Sequence, residues 1–209
     1  NTTEVDAEKE AKDPKLYVNE YPAETIPVGK NSEVTIKVSV DTKYDVSVYN
    51  AEGKDMGIGG KNRKSDTKPT EGSSYVIIKV PLQLSDLPVG TYTLKFGVEG
   101  KELKELDYDI RILKSLDVKD NKNIIKTDVS NVVYDGKTAK PNVTIIESIG
   151  DNSYTLVYEK DFDYKLTTDN QKDMGTVGIE IWGIGDYTGT ITKTFDITPQ
   201  APAITGAVC

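Results

Sequence analysis

The sequence predicts an all-β protein made of two tandem sandwich-like modules. Three observations carry this expectation. Apolar and polar residues alternate in short runs along both halves of the chain, which is the period of a half-buried strand. Those runs are separated by clusters of Gly, Pro, Asn, Asp and Ser, the punctuation of an antiparallel sandwich. No segment carries the 3.6-residue period of an amphipathic helix. With 209 residues the chain has room for two ordinary domains, and each can bury a modest core without covalent staples.

Residues 1–14 are polar and charged with no apolar period, so they are expected to form a disordered leader. The first module is expected over 15–114. Its strands begin at Leu16, and Pro27 marks 25–28 as an edge strand. Residues 33–40 alternate cleanly, with Val34, Ile36, Val38 and Val40 on one face; 44–49 repeats the pattern with Val46 and Val48 inward. Residues 51–54 read as a hairpin turn, and the Gly-, Lys- and Pro-rich stretch 57–73 as a long loop. Residues 75–82, 91–98 and 106–112 alternate again. About seven strands in ~100 residues make an antiparallel sandwich.

Leu84, Leu87, Pro88, Gly90 and Tyr92 stand in the order Leu-x-x-Leu-Pro-x-Gly-x-Tyr. This resembles the approach to the penultimate strand of many immunoglobulin-like domains. The resemblance implies an immunoglobulin-like first module, with Gly90 and Tyr92 as structural positions and the Tyr92 hydroxyl bonding back to the preceding loop. The plainer alternative for Tyr92 is an ordinary core aromatic.

The charged, turn-prone run 114–123 reads as a bridge, with a linker at 115–123. A second module follows over 124–198, with strands near 124–126, 131–134, 142–147, 154–158, 163–167, 175–182 and 189–197. Residues 199–209 read as a Pro-rich linker or tail. The two halves do not align with one another, so they are expected to be different modules.

The second module contains Tyr134-Asp135-Gly136-Lys137, Pro141, Asp161-Phe162-Asp163-Tyr164, Gly175-Thr176-Val177 and then Gly183-Ile184-Gly185-Asp186-Tyr187-Thr188-Gly189. In this order and spacing the set resembles the MBG-like or "YDG" repeat of large surface proteins of Gram-positive bacteria. The resemblance implies a sandwich, open to a β-grasp-like variation, in an extracellular cell-surface or cell-wall protein. It implies neighbouring domains of a longer chain as partners and a spacer or adhesion role. Two alternatives stay open: a module that binds a glycan or host protein, and an accessory domain of a secreted glycosidase or cell-wall hydrolase. Asn1 in place of Met fits a processed or excised chain, with any leader or wall anchor outside it.

Composition narrows the chemistry. The net charge is −8 and no basic stripe is present, which argues against nucleic acid and against docking on an anionic membrane. No apolar run approaches the ~20 residues that span a bilayer. With no histidine, the commonest general base and metal ligand are missing. Cys209 is the single cysteine, so no intrachain disulfide or cysteine zinc site can form; it is expected to be an interior residue of a longer protein or an added handle.

Several motifs invite chemistry and fall short. Residues 57–62 suggest a phosphate loop, but Asp55 stands where the first glycine belongs and Asn62 replaces the Ser or Thr. Gly183 and Gly185 lie between strands, with no helix to receive a phosphate; they are expected to permit a tight turn or bulge that folds Tyr187 back onto the sheet. No serine has a histidine to activate it. Asp161 and Asp163 read as a turn and strand start rather than a glycosidase pair. An isopeptide bond from Lys37 or Lys79 is disfavoured because both alternate outward. Two binding possibilities remain. Asp117, Asp120, Asn121 and Asn123 could gather around Ca²⁺ at the module junction, against a solvated linker. Trp182 is expected to face away from Ile179 and Ile181, where with Tyr187 it could offer aromatic area to a sugar or a protein; the plainer alternative is a tryptophan covered by a loop or by the first module. No catalytic residue is expected.

Overall fold

A computed structural model describes residues 15–117, 125–168 and 173–200. The protein is all-β: among the described residues the only helical segment is one 3-10 turn at Lys104–Leu106. The chain divides into two compact units, Asn1–Leu113 and Lys114–Cys209.

The first unit contains β1 (Leu16–Glu20), β2 (Thr25–Pro27), β3 (Ser32–Val38), β4 (Lys43–Asn50), β5 (Asp55–Lys64), β6 (Val76–Leu82), β7 (Gly90–Val98), β8 (Lys101–Glu102) and β9 (Tyr108–Ser115), the last two residues of β9 falling in the second unit. One sheet has the order β1-β3-β6; the other runs β9-β7-β4-β5, with β2 parallel to β9 and β8 on β7. This is the strand order of an immunoglobulin-like sandwich. Alternation explains the core: Val34, Ile36 and Val38 from β3 meet Val46 and Val48 from β4 and Leu94 and Phe96 from β7, all essentially excluded from water. Each such side chain contributes about 1.5–3 kcal/mol.

Residues 57–64 correct an expectation. They belong to the ten-residue strand β5, not to a loop. β5 pairs with β4 through register shifts, and Gly57, Gly59 and Asn62 have φ of +69°, +94° and +51°. Such bulges break the alternation by which a strand is recognised in sequence.

The second unit contains β10 (Ile125–Val129), β11 (Val132–Val133), β12 (Val143–Ile149), β13 (Asn152–Thr155), β14 (Phe162–Leu166), β15 (Gly175–Gly183), β16 (Tyr187–Thr188) and β17 (Thr190–Thr198). Its sheets are β10-β12-β13 and β11-β17-β15-β14. Ile125, Ile145, Phe162, Val177, Ile179, Ile181, Phe195 and Ile197 form one core from both sheets. The second layer is a sheet, where a β-grasp would place a helix. The Tyr134–Lys137 segment turns just after β11: the Asp135 carboxylate accepts the Lys137 N–H at 2.9 Å, and Gly136 takes φ +75°.

The expected linker at 115–123 starts inside this unit. Leu116 is fully buried in its core, and Lys114 and Ser115 pair in parallel with β16. The leader at 1–14, the bridge residues 118–124 and the tail from 201 with Cys209 lie outside the described residues.

Candidate functional site

The region singled out by sequence lies around the β15–β16 connection. On β15, Ile179 and Ile181 are fully buried, so Glu180 and Trp182 face the other side of the sheet. Trp182 is half-buried. Lys165 on the neighbouring strand β14 lies with its Nζ 5.9 Å from the indole ring and pairs with Glu180 at 2.8 Å. The outer strip is thus an aromatic ring flanked by an ion pair.

Tyr187 goes elsewhere, because the backbone reverses tightly before it. A Cβ on Gly183 would meet the Thr188 nitrogen at 2.6 Å and the Tyr187 carbonyl carbon at 2.7 Å, so only glycine fits. Gly185 sits at φ +63°, a conformation that glycine adopts without steric cost. The turn drops Tyr187 into the core, where it is 9% exposed. Its hydroxyl donates to a Glu147 Oε2 at 2.7 Å, and the Lys114 ammonium donates to the same oxygen at 2.9 Å. Glu147 is 5% exposed, and Lys114 Nζ lies 5.6 Å from the Tyr187 ring centroid. The expected Trp182/Tyr187 aromatic pair is therefore split: Trp182 is on the outer face, and Tyr187 is a buried member of an ionic cluster with no ring face open to a ligand.

This cluster is suited to holding structure. Burial, then the hydrogen bond to Glu147 and its negative charge, push the Tyr187 phenol above its ordinary value, so it stays protonated and donating. Lys114 supplies the countercharge that a buried carboxylate requires. Sequence reasoning did not single out Lys114 or Glu147. The available signal was a charge at the inward phase of β12, two residues beyond Ile145.

The other candidates have structural occupations. One Asp161 carboxylate oxygen accepts the Val157 N–H at 2.8 Å, closing a turn, and the Asp163 carboxylate accepts the Tyr164 N–H at 2.7 Å. Lys79 pairs with Glu33 at 3.1 Å on the surface. Tyr92, 5% exposed, donates its hydroxyl to the Pro88 carbonyl at 3.0 Å, and a Cβ on Gly90 would rest at 3.5 Å from its ring. Of the proposed Ca²⁺ ligands, Asp120, Asn121 and Asn123 lie outside the described residues. Asp117 is half-buried, its N–H donating to the Ser115 hydroxyl at 3.1 Å. Among the described residues no group of three His, Cys, Asp or Glu side chains could hold a metal ion, and no helix is long and apolar enough to cross a membrane.

No protein-family model and no curated protein matches the chain. Among solved structures it is similar to the Lin-41 filamin domain, at 13% identity over 47% of this chain and 91% of that one, with a TM-score of 0.33. It is similar to Yersinia pseudotuberculosis InvD, at 13% identity over 93% of this chain and 61% of that one, TM-score 0.32. It is also similar to the Yersinia pseudotuberculosis adhesin InvE, at 10% identity over 88% of this chain and 58% of that one, TM-score 0.32. Scores this low leave the fold to the strand order itself and carry no argument about function.

Proposed function

We propose that this chain is a non-catalytic, extracellular segment of a bacterial cell-surface protein. In this reading it acts as a structural spacer or adhesion module, with an immunoglobulin-like module followed by a repeat of the MBG or "YDG" type. The observation that carries the reading is how the chemically capable side chains are used. Glu147, Lys114, Tyr187, Asp161 and Asp163 all close turns or pin the core. The chain has no histidine to supply a base. Two helix-poor sandwiches in tandem suit a load-bearing or display role, since every strand is tied laterally to its neighbours. Neighbouring domains of a longer surface protein are its expected partners.

Two measurements test this. Antibodies raised against the chain should label intact cells of the source organism, and protease treatment of those cells should remove the label; an epitope reached only after lysis overturns the location. A screen of esters, peptides and polysaccharides should give no turnover. Turnover abolished by one substitution overturns the non-catalytic role.

A second reading is favoured by Trp182, which faces outward beside Lys165. On that reading the second module binds a glycan or a host protein there. Strong iodide quenching of Trp182 that a ligand then relieves supports it. Quenching that no glycan or host protein changes removes it.

A further inference from the structure

The first unit carries a groove that none of the roles above uses. It lies on the outer face of the β5-β4-β7 sheet, with β8 along one side, and its volume is about 390 Å³, at the small end of ligand-sized clefts. Cross-strand register explains the hollow. Asp45 on β4 and Glu102 on β8 both lie opposite Gly97 on β7, so two carboxylates flank a residue with no side chain. In the next row Ser47 lies between Gly59 and Lys95. Small residues thus form the floor and long ones the walls. The two-residue turn Glu99-Gly100, with φ of +50° and +76°, folds β8 back alongside β7 and closes that side.

The polar groups of the groove are not all used internally. Ser47 is 4% exposed and lines the groove. Val46 and Val48 point into the core, so Ser47 points out. Its hydroxyl has no hydrogen-bond partner among the described residues. Lys101 lines the same groove and has no ion-pair partner among the described residues. The other two ammoniums are engaged: Lys61 with Asp55 and Tyr49, and Lys95 with Glu102 at 3.2 Å. Asp45 accepts the Asn62 N–H. The groove therefore offers one open cation, one open hydroxyl on the floor, and a carboxylate wall able to accept further donors.

We propose that this groove binds an acidic saccharide, a sugar carrying a carboxylate on its ring. The carboxylate would pair with Lys101, and ring hydroxyls would meet Ser47 and Asp45. Hydroxyls both donate and accept, as a wall of mixed ammonium and carboxylate groups requires. An extended peptide fits less well. The groove crosses a sheet face whose backbone groups are already paired between β4 and β7, so no free edge is offered to a strand. The inference is independent of the cell-surface reading and of Trp182.

The test is an amide-shift titration of the isotopically labelled full chain with trigalacturonate and, for a second stereochemistry, a hyaluronan tetrasaccharide. Methyl-esterified trigalacturonate serves as the neutral counterpart. The expected result is a set of shifts confined to Ser47, Gly97, Lys101 and their neighbours with at least one acidic probe, and binding weakened about tenfold by esterification. Ser47→Ala and Lys101→Ala should each weaken binding about fivefold to tenfold. Both should leave the melting temperature unchanged, because neither removed group has an internal partner. Silence from both acidic probes overturns the proposal, as do shifts centred outside the groove. Equal binding of the methyl ester overturns the role of Lys101 and with it the acidic specificity.

Discussion

Replacing Tyr187 with phenylalanine isolates one hydroxyl at the centre of the second unit. The wild-type hydroxyl donates to the ionised Glu147 at 2.7 Å in a site where both residues are nearly excluded from water. A hydrogen bond to a charged group is worth about 1.5–3 kcal/mol. Lys114 stays at 2.9 Å with its side chain one-third exposed, so Glu147 keeps its countercharge. The expected loss is therefore about 2 kcal/mol rather than the larger cost of stranding a buried charge. Trp182 is the single tryptophan and lies in the second unit, so its fluorescence during urea unfolding reports on this unit. Glu147→Gln keeps an acceptor for the phenol but removes the ion pair, and the Tyr187→Phe/Glu147→Gln cycle should show coupling of about 1 kcal/mol or more.

The pH dependence follows from the raised Tyr187 phenol. The unfolded phenol titrates near its ordinary value of about 10, and the folded one titrates above that. The contribution is complete below the unfolded value. Between the two values the unfolded chain sheds a proton that the folded one retains, so stability falls as pH rises, by about 1.4 kcal/mol per pH unit at most. Tyr187→Phe lacks this dependence. The gap between wild type and variant should be constant from neutral pH to about 10 and narrow above it. The other tyrosines are common to both proteins and cancel. A variant indistinguishable from wild type at pH 7, or a gap that widens in alkali, refutes the hydroxyl's role in pinning Glu147.

Tyr92→Phe should lower the stability of the first unit by about 1–2 kcal/mol, since the Pro88 carbonyl loses its 3.0 Å donor; urea unfolding followed by circular dichroism measures it, and an unchanged midpoint would reject the bond as a lock. Gly183→Ala should cost about 3 kcal/mol, because the added carbon meets backbone atoms that cannot swing aside, while Gly90→Ala should cost much less. A fragment starting at Lys114 should withstand more urea than one starting at Asp117. The shorter one lacks the fully buried Leu116 and the ion pair to Glu147, a difference of about 2–5 kcal/mol.

The all-β architecture was legible because both cores are built from strictly alternating strands. Val34–Ile36–Val38 and Tyr92–Leu94–Phe96 each place every second side chain in the core. Where alternation fails, so did the expectation. β5 holds two glycines and an asparagine at positive φ, and its register against β4 shifts twice. In sequence those residues have the composition of a loop. The burial of Leu116 was not legible for a different reason. Lys114-Ser115-Leu116 precedes a charged run and looks like part of it, yet parallel pairing with β16 draws Leu116 inward. A parallel partner more than seventy residues away leaves no local trace.

The same contrast separates the two candidate sites. Trp182 could be placed on the outer face because its strand alternates around Ile179 and Ile181. For Tyr187 the two glycines announced the turn back onto the sheet but not the burial that removes it from the face of Trp182; aromatic residues near in sequence need not share a surface once the backbone reverses. The buried cluster and the groove are both assembled from residues distant in sequence, Lys114 with Glu147 and Ser47 with Lys101. Local patterns mark such places only by an exception to the expected polarity. Glu147 is a charge in an inward phase, where burial must be matched by partners. Ser47 is its converse, a polar residue in an outward phase set on the floor of a groove. The first exception is resolved within the chain, by Lys114 and Tyr187. The second has no hydrogen-bond partner among the described residues, and that difference is why a ligand is proposed for the groove and none for the cluster.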